Sequence, residues 1–272
     1  MPIASRAEPR PHPVVGSQLV RRWQPETEIR AEVVLVHGLG EHCGRYERTG
    51  SLLAEAGLGV TAADLIGFGA TGGSRGFVED WSQFLDQVGE LIGEARATGR
   101  PVVLLGHSLG GLVAFEYALS ERSAPDLLVL SAPAVGGGAA WQKAIAPLSS
   151  VIAPRLRLPT AVKGSQLSRD PAVGEDYFAD PLVQTKASTR VGAEAFKSQE
   201  RVQEAMGRLS IPTLVIHGGA DTLVPPNVSV PLGALEGVER RLYPTLRHEM
   251  FNEPEGPEVV ADVVSWIEDH LG

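Results

Sequence analysis

The stretch Gly106-His107-Ser108-Leu109-Gly110 lies between two apolar runs, and this position decides the fold. Residues 101–105 (PVVLL) are typical of a buried strand, and residues 112–119 (LVAFEYAL) contain no Gly or Pro and predict a buried helix. The glycines on both sides of the serine tolerate the geometry of a tight turn. The sequence therefore predicts a serine held in a sharp turn between a strand and a helix.

The G-x-S-x-G pattern alone does not identify this serine, because chance produces it in roughly one chain in ten of this length. Residues 72–76 (GGSRG) match it as well. Only the copy at Ser108 has a buried strand before it and a helix behind it, which is the context of the nucleophile elbow in an α/β-hydrolase fold. The competing interpretation is that Ser108 is an ordinary helix N-cap.

Composition and charge exclude several classes of protein. The net charge of −9 argues against nucleic acid as a partner, and the single cysteine, Cys43, excludes an internal disulfide and a multi-cysteine metal site. Residues 1–13 contain four prolines and no apolar core of a signal peptide, and we expect them to be disordered or loosely attached. No apolar run reaches bilayer length, so a soluble, cytoplasmic protein without a cofactor is expected, with peripheral membrane contact left open.

Apolar strands alternate with helices along most of the chain, which predicts a mostly parallel sheet covered by helices on both faces. Strands are predicted at residues 18–23 (an edge strand), 32–36, 58–63, 101–105, 126–130, 211–216 and 239–243. Helices are predicted near residues 49–56, 81–97, 112–119 and 258–271.

This alternation breaks between residues 134 and 209. We expect an inserted cap over residues 134–209 and a hydrolase core formed by residues 1–133 and 210–272. Within the cap, apolar residues recur at helical spacing between Trp141 and Ile152. Most of this stripe is expected to pack over the core, and contact with a membrane or micelle surface is the alternative for some positions.

A serine nucleophile needs a base, and the base needs a group that orients it. In this fold the order along the chain is serine, acid, histidine. Asp221 follows the predicted strand at residues 211–216 in a glycine-rich turn, and His248 follows the last predicted strand. We expect Ser108 to be the nucleophile, His248 the general base and then acid, and Asp221 the orienting group. His217 competes with His248, but its place in a strand favours a buried structural histidine.

The tetrahedral intermediate of acyl transfer needs two preorganised N–H donors. Backbone N–H groups are expected from Leu109, which follows the serine, and from Leu39, in the glycine-rich turn after the strand at residues 32–36. His37 and His107 are interpreted as residues that position these turns.

Residues 37–46 (HGLGEHCGRY) resemble the H-G-x-G-E-H-x-x-R-Y signature of the monoacylglycerol lipase family. Residues 248–253 (HEMFNE), 130–134 (LSAPA), 167–171 (LSRDP) and 180–183 (DPLV) resemble the same family, and the resemblance extends from about Gly16 to the end. It implies an acylglycerol lipase, or a related lysophospholipase or esterase, with an amphipathic cap helix beside an apolar acyl tunnel. Glu41 and Arg45 in the signature are expected to pair structurally, with contact to a polar head group as the alternative.

Residues 64–71 (DLIGFGAT) depart from the D-x-x-G-H-G-x-S pattern of that family, because Phe68 replaces His and Thr71 replaces Ser. Residues 67–72 also satisfy G-x-G-x-x-G, and Glu90 lies near the distance expected for a ribose-binding acid. A dinucleotide site requires a helix that opens within the glycines, whereas the next predicted helix begins only near Trp81.

Together these features predict a serine hydrolase that cleaves fatty-acid esters. Its expected binding partner is a small lipid ester substrate, and monoacylglycerol is the leading candidate. A general carboxylesterase or lysophospholipase with the same three residues is the alternative within enzymes. A catalytically silent binding protein of the same fold is the alternative outside enzymes. The sequence contains no indication of oligomeric state.

Overall fold

In the computed structural model, which describes residues 2–271, the strands form one eight-stranded sheet and a separate two-stranded antiparallel sheet. The strands are β1 (Arg6–His12), β2 (Gly16–Trp23), β3 (Ala31–Val36), β4 (Leu58–Ala63), β5 (Val102–His107), β6 (Leu127–Ser131), β7 (Arg157–Pro159), β8 (Lys186–Ser188), β9 (Thr213–Gly218) and β10 (Val238–Tyr243). The helices are α1 (Glu47–Glu55), α2 (Ser82–Arg96), α3 (Leu109–Ala118), α4 (Ala140–Ile152), α5 (Gly164–Leu167), α6 (Pro171–Ala179), α7 (Thr189–Ala205) and α8 (Gly256–His270).

The large sheet has the order β1-β2-β4-β3-β5-β6-β9-β10. The neighbouring strands β4, β3, β5, β6, β9 and β10 all pair in parallel. At one edge of the sheet, β2 pairs antiparallel with β4, and β1 pairs antiparallel with β2. Successive side chains of a strand point to opposite faces. In β3, Val34 and Val36 accordingly pack into the core beneath α2 and α3, whereas Val33 and Leu35 pack into the core beneath α1 and α8. The predicted α/β-hydrolase fold, with helices on both faces, is confirmed.

The expectation of disorder in residues 1–13 is wrong, because residues 6–12 form β1. This strand pairs with β2 along its whole length, from Arg6 opposite Arg22 to His12 opposite Gly16. The two strands are also joined by an ion pair between Arg22 and Glu8, with an N–O distance of 2.8 Å. β1 is an edge strand, where proline is tolerated because one side of the strand needs no ladder hydrogen bonds. The predicted strand at residues 18–23 therefore lies one position inside the edge.

The segment between β6 and β9 carries α4 to α7 and the small antiparallel sheet of β7 and β8. The helix expected between Trp141 and Ile152 is α4, and it packs along α7. The boundaries of the cap at residues 134 and 209 stay a prediction.

The expectation that most of the α4 stripe packs over the core is wrong. Its large apolar side chains are half to three-quarters exposed, from 50% for Ile145 to 75% for Val151. Only Ala146 and Ser150 of this helix are buried, since the face that packs against the rest of the protein carries small side chains. The exposed set is Trp141, Ile145, Leu148, Val151 and Ile152.

The two misleading glycine motifs both lie in the loop between β4 and α2. Gly67 and Gly69 have positive φ angles of 80° and 52°, and no helix opens among the glycines before α2 begins at Ser82. Ser74 is exposed in the same loop, and its hydroxyl accepts a hydrogen bond from Arg155. The loop therefore has neither the helix of a dinucleotide site nor the strand and helix that hold a nucleophile. Within residues 2–271, no helix is both long enough and apolar enough to span a bilayer.

Candidate active site

Ser108 occupies the turn between β5 and α3 in a strained backbone conformation, with φ 54° and ψ −117°. Such a conformation is uncommon for a residue with a side chain and is held by the surrounding structure. Glycine is required on both sides of this turn, because a Cβ at Gly106 would collide with the backbone of Gly110, and one at Gly110 would collide with the backbone of Val36. Although Ser108 is at the N-cap position of α3, its side chain makes no capping hydrogen bond. The hydroxyl is therefore available for chemistry.

Asp221 and His248 meet at the carboxyl ends of β9 and β10. Asp221 follows β9 in a tight turn, and its Oδ2 accepts a hydrogen bond from His248 Nδ1 at 2.7 Å. The other oxygen, Oδ1, accepts from the backbone N–H groups of Leu223 and Val224 at 2.8 and 3.0 Å. The carboxylate is thus fixed by its own loop and holds the imidazole of His248 in one orientation, with Nε2 left for the reacting groups.

Asp221 is held in its ionised form. Burial alone would raise the pKa of its carboxyl group, but the nearby His217 side chain, the hydrogen bond from His248 and the hydrogen bond from the backbone N–H of Val224 hold that pKa well below its usual range. His217 Nε2 lies 3.5 Å from Asp221 Oδ2, which is longer than a good hydrogen bond, and bonds instead to the carbonyl of Val224 at 2.9 Å. His217 is completely buried, with its Nδ1 2.9 Å from Ser229 Oγ. This geometry is that of a structural histidine that supports the Asp221 loop.

Ser108 and His248 line the same cavity, which has a volume of about 280 Å³ and is called the serine cavity below. No hydrogen bond joins the Ser108 hydroxyl to His248 among the residues that the structure describes. Such bonds are often long before substrate binds and shorten in the complex. The structure therefore brings the three predicted residues to one site, with the serine not yet bonded to the imidazole.

Leu39 and Leu109 also line the serine cavity. Leu109 is the first residue of α3, and the N–H groups of a first helical turn have no partner within the helix. In the turn after β3, the N–H of Gly38 donates to Glu41 Oε1 at 2.6 Å. Because this bond occupies Gly38, the next N–H group, that of Leu39, remains the candidate donor from this turn.

His37 and His107 are buried beside these two turns. His37 Nε2 accepts from the backbone N–H of Leu65, and its Nδ1 lies 2.8 Å from the carbonyl of Gly38, so it ties the turn after β3 to the loop after β4. His107 Nδ1 lies 3.1 Å from Ser131 Oγ. Burial, with a contribution from His248, lowers the pKa of His107 to about 3, so His107 is uncharged at neutral pH. Both geometries fit positioning residues.

A buried ionic network that the sequence did not reveal joins the turn after β3 to the loop of His248. Arg45 donates to Glu41 Oε2 at 2.8 Å and to both oxygens of Glu249, at 2.6 and 2.9 Å. Tyr46 donates its hydroxyl proton to Glu41 at 2.7 Å. The expected ion pair of Glu41 and Arg45 is present, and Glu249 is a second carboxylate bound to the same Arg45. The only signal for Glu249 in the sequence is its place directly after His248.

The loop of His248 is also fastened to the segment between β6 and β9. The backbone N–H of Glu249 donates to the carbonyl of Leu167 at 2.8 Å. Glu253 is fully buried, and its carboxylate accepts from the Ser168 hydroxyl and from the backbone N–H groups of Arg169 and Arg247. The two short motifs at residues 167–171 and 248–253 therefore form one structural unit next to His248.

The serine cavity adjoins a second, more apolar space of about 260 Å³ beneath α4, called the α4 groove below. Leu39, Thr160, Gly192 and Phe196 line both spaces. Glu41, Tyr177 and Glu249 line the serine cavity but not the groove. The site thus has a polar end near His248 and an apolar end beneath α4.

Phe68 and Thr71, the two departures from the family pattern, do not line the serine cavity. Phe68 is fully buried and packs edge-on against His37, with the ring centres 6.3 Å apart. Thr71 Oγ1 accepts a hydrogen bond from the backbone N–H of Leu19 at 2.9 Å. Both residues serve the packing of the loop after β4. Across residues 2–271, no group of three or more His, Cys, Asp or Glu side chains is placed to hold a metal ion.

The fold and the site together define an α/β-hydrolase. The model of the family described as "Serine aminopeptidase, S33" matches residues 27–255, and the chain belongs to this family of hydrolases.

Named relatives agree with this assignment. The chain is 36% identical to the monoacylglycerol lipase of Mycolicibacterium smegmatis over 92% of each chain. It is 33% identical to phospholipase YtpA of Bacillus subtilis, over 92% of this chain and 99% of the relative. The crystal structure of the Paleococcus ferrophilus monoacylglycerol lipase matches with a TM-score of 0.84 and 33% identity, covering 92% of this chain and 99% of the other. The predicted resemblance to monoacylglycerol lipases, and the prediction of an ester hydrolase, are confirmed.

Proposed function

We propose that this protein hydrolyses monoacylglycerols to glycerol and a fatty acid through an acyl-serine intermediate. Ser108 is the nucleophile, His248 the general base and acid, and Asp221 the group that orients His248. The observation that carries the proposal is the 2.7 Å bond between Asp221 and His248 in the cavity where the uncapped Ser108 hydroxyl lies. The apolar groove that adjoins this cavity suits a fatty acyl chain.

In the first half of the reaction, His248 Nε2 takes the proton of the Ser108 hydroxyl while Oγ attacks the ester carbonyl carbon. The tetrahedral intermediate collapses, the bond from carbon to the glycerol oxygen breaks, and His248 gives its proton to the departing alcohol. In the second half, His248 takes a proton from water, the hydroxide attacks the acyl-serine, and Ser108 recovers its proton as the fatty acid leaves. Asp221 stabilises the imidazolium formed in each half.

The oxyanion of each tetrahedral intermediate is stabilised by the backbone N–H groups of Leu39 and Leu109. A single donor of this kind contributes about 3–4 kcal/mol to lowering the barrier. The hydrogen bond from Gly38 to Glu41, and those of His37 to its neighbours, support the orientation of the Leu39 turn. Preorganisation of this turn removes the cost of arranging the donors during the reaction.

The polar end of the cavity favours an uncharged head group. Glu41 and Glu249 both line it and share one cation, Arg45, so the two carboxylates and the guanidinium together have a net charge of −1. Arg45 lowers the pKa of Glu41 against the opposing effect of burial, which keeps that carboxylate ionised. Carboxylates accept hydrogen bonds from glycerol hydroxyls, whereas a phosphate would be repelled by them.

A lysophospholipase is the second candidate, and the similarity to the Bacillus subtilis phospholipase favours it. The carboxylates at the polar end count against an anionic head group, which is why monoacylglycerol is placed first. Measuring kcat/KM for monoacylglycerol and for lysophosphatidylglycerol of the same acyl chain, whose head group has a net negative charge, separates the two candidates. A higher value for the lysophospholipid would reverse their order.

Membrane or micelle contact through α4 is part of the proposal. Five large apolar side chains of this helix are exposed, next to the groove that would receive the acyl chain. Helices with one apolar face insert that face at the boundary of head groups and acyl chains. Contact at this place would let a lipid substrate enter from its own phase.

Labelling with a fluorophosphonate probe tests the serine chemistry and the silent alternative together. The wild-type protein is expected to be labelled at one site, and Ser108→Ala is expected not to be labelled. Ser74→Ala is the matched control, because Ser74 stands in the second G-x-S-x-G pattern and is exposed. No labelling of the wild type would favour a silent binding protein, and equal labelling of Ser108→Ala would reject Ser108 as the nucleophile.

A further inference from the structure

Gly192 lies at the junction of the serine cavity and the α4 groove. It is the fourth residue of α7, and it is one of four residues that line both spaces. The other three, Leu39, Thr160 and Phe196, all carry side chains into this wall. Gly192 is therefore the one shared lining residue that has no side chain to occupy the space between Ser108 and the groove.

Neither backbone conformation nor packing requires glycine at this position. Gly192 is not among the residues with a positive φ angle. A Cβ built on it would meet no atom within 4 Å, whereas one on Gly138 nearby would collide with the ring of Phe196. Glycine inside a helix is less favourable than alanine, because it loses more conformational freedom on folding. No packing contact at Gly192 compensates the lower helix propensity of glycine. The effect of the missing side chain is therefore that the space beside residue 192 stays open.

We propose that Gly192 determines acyl-chain specificity by keeping the passage from the serine cavity to the α4 groove open. The inference rests on the proposed ester hydrolysis and deepens it. A short acyl group bound at Ser108 stays within the serine cavity, whereas a long chain must cross Gly192 to reach the groove. The enzyme is thereby suited to long-chain esters, and the side chain at residue 192 sets the length that it accepts.

Substitution of Gly192 by leucine tests this directly, because the new side chain enters the passage and meets no protein atom at its Cβ. We measure kcat/KM of the wild type, Gly192→Ala and Gly192→Leu with monobutyrylglycerol and monopalmitoylglycerol. Gly93→Leu is the matched control, since Gly93 also lies in a helix with no atom within 4 Å of a Cβ, but is exposed in α2.

For Gly192→Leu, we expect the ratio of kcat/KM for palmitoyl over butyryl ester to fall by at least about tenfold, as for a mismatched group in an apolar site. Activity on the butyryl ester is expected to fall less than activity on the palmitoyl ester in Gly192→Leu, and to stay within about twofold of wild type in Gly93→Leu. Gly192→Ala is expected to give a smaller fall, and Gly93→Leu none. An unchanged ratio in Gly192→Leu, or an equal loss on both esters, would overturn the proposal.

The same variants with p-nitrophenyl butyrate and palmitate keep this test separate from the choice of head group. If the wild type cleaves p-nitrophenyl palmitate but no monoacylglycerol, the proposed substrate is wrong. In that case, a fall in the ratio of kcat/KM for palmitate over butyrate in Gly192→Leu still supports the role of Gly192 in chain-length specificity. If the wild type cleaves only butyrate, the inference about Gly192 is wrong.

Discussion

Arg45 holds both carboxylate oxygens of Glu249, the residue directly after His248, although the two residues are 204 positions apart in the sequence. The same guanidinium group binds Glu41, whose other oxygen holds the N–H of Gly38. One network of hydrogen bonds thus spans the turn that carries Leu39 and the loop that carries His248. The relative position of these two elements depends on a single buried cation.

Replacing Arg45 is expected to destabilise the protein far more than replacing Glu249. Arg45→Met leaves two buried carboxylates without a cation, and loss of one partner of a buried ion pair costs about 3–5 kcal/mol. Glu249→Gln leaves Arg45 paired with Glu41 and keeps a side chain of nearly the same shape. Urea unfolding followed by circular dichroism measures both free energies. Equal losses in the two variants would contradict this account of the network.

Stability is expected to fall as the pH drops below about 5, because of Glu41 and Asp221. Both carboxyl groups have a pKa in the folded protein below the usual range, Glu41 through Arg45 and Asp221 through its hydrogen bonds, in each case against the effect of burial. A lowered pKa gives stability that is present above the unfolded pKa and is lost as protons bind at lower pH. Urea unfolding between pH 3 and 7 measures this dependence. Asp221→Asn should show a shallower decline than wild type, and an identical slope would contradict the role of Asp221.

Asp221→Asn is expected to lower kcat by about four orders of magnitude while the protein stays folded. The amide of Asn presents a donor toward His248 Nδ1 and favours the tautomer in which Nε2 carries the proton and cannot act as a base. His217→Gln is the comparison, because His217 supports the same loop without a good hydrogen bond to Asp221. Steady-state kinetics with a soluble short-chain ester measure both variants. A loss of kcat in His217→Gln as large as that in Asp221→Asn would contradict the structural role given to His217.

Polar replacements on the exposed face of α4 are expected to impair activity on aggregated lipids only. The variant Leu148→Ser, Val151→Ser, Ile152→Ser removes three apolar side chains that are more than half exposed and do not line the α4 groove. Co-sedimentation with phosphatidylcholine vesicles should show weaker binding than wild type, and hydrolysis of vesicle-borne monoacylglycerol should fall. Hydrolysis of a soluble butyryl ester should not change. Unaltered vesicle binding would mean that α4 does not contact the lipid surface.

The parts of this molecule that could be predicted from the sequence are those with local signals. Ser108, Asp221 and His248 each follow an apolar strand at a turn, and the order of the three is a property of the chain. The sheet and its covering helices follow from the alternation of strands and helices. Glu249 and Glu253 were missed because their partners, Arg45 and Ser168, are distant in sequence and no local pattern pairs them.

The failures in the fold have a similar cause. Residues 6–12 are rich in proline and charge, and the neighbouring strand β2 supplies the pairing that makes them a strand. For α4, helical spacing of apolar residues predicted the helix, but spacing does not determine whether the apolar face meets the protein or the solvent. In the structure α4 packs against α7, and the buried residues of α4 are the small ones, Ala146 and Ser150. The large apolar side chains of α4 therefore face the solvent.

The central claim is that an acyl group is transferred to Ser108 during turnover. The most direct measurement is rapid acid quenching of the wild-type protein with monooleoylglycerol, followed by mass spectrometry of its peptides. The account predicts an oleoyl adduct on the peptide that contains Ser108, and neither adduct nor turnover in Ser108→Ala. An adduct on another residue, or turnover that persists in Ser108→Ala, would contradict it.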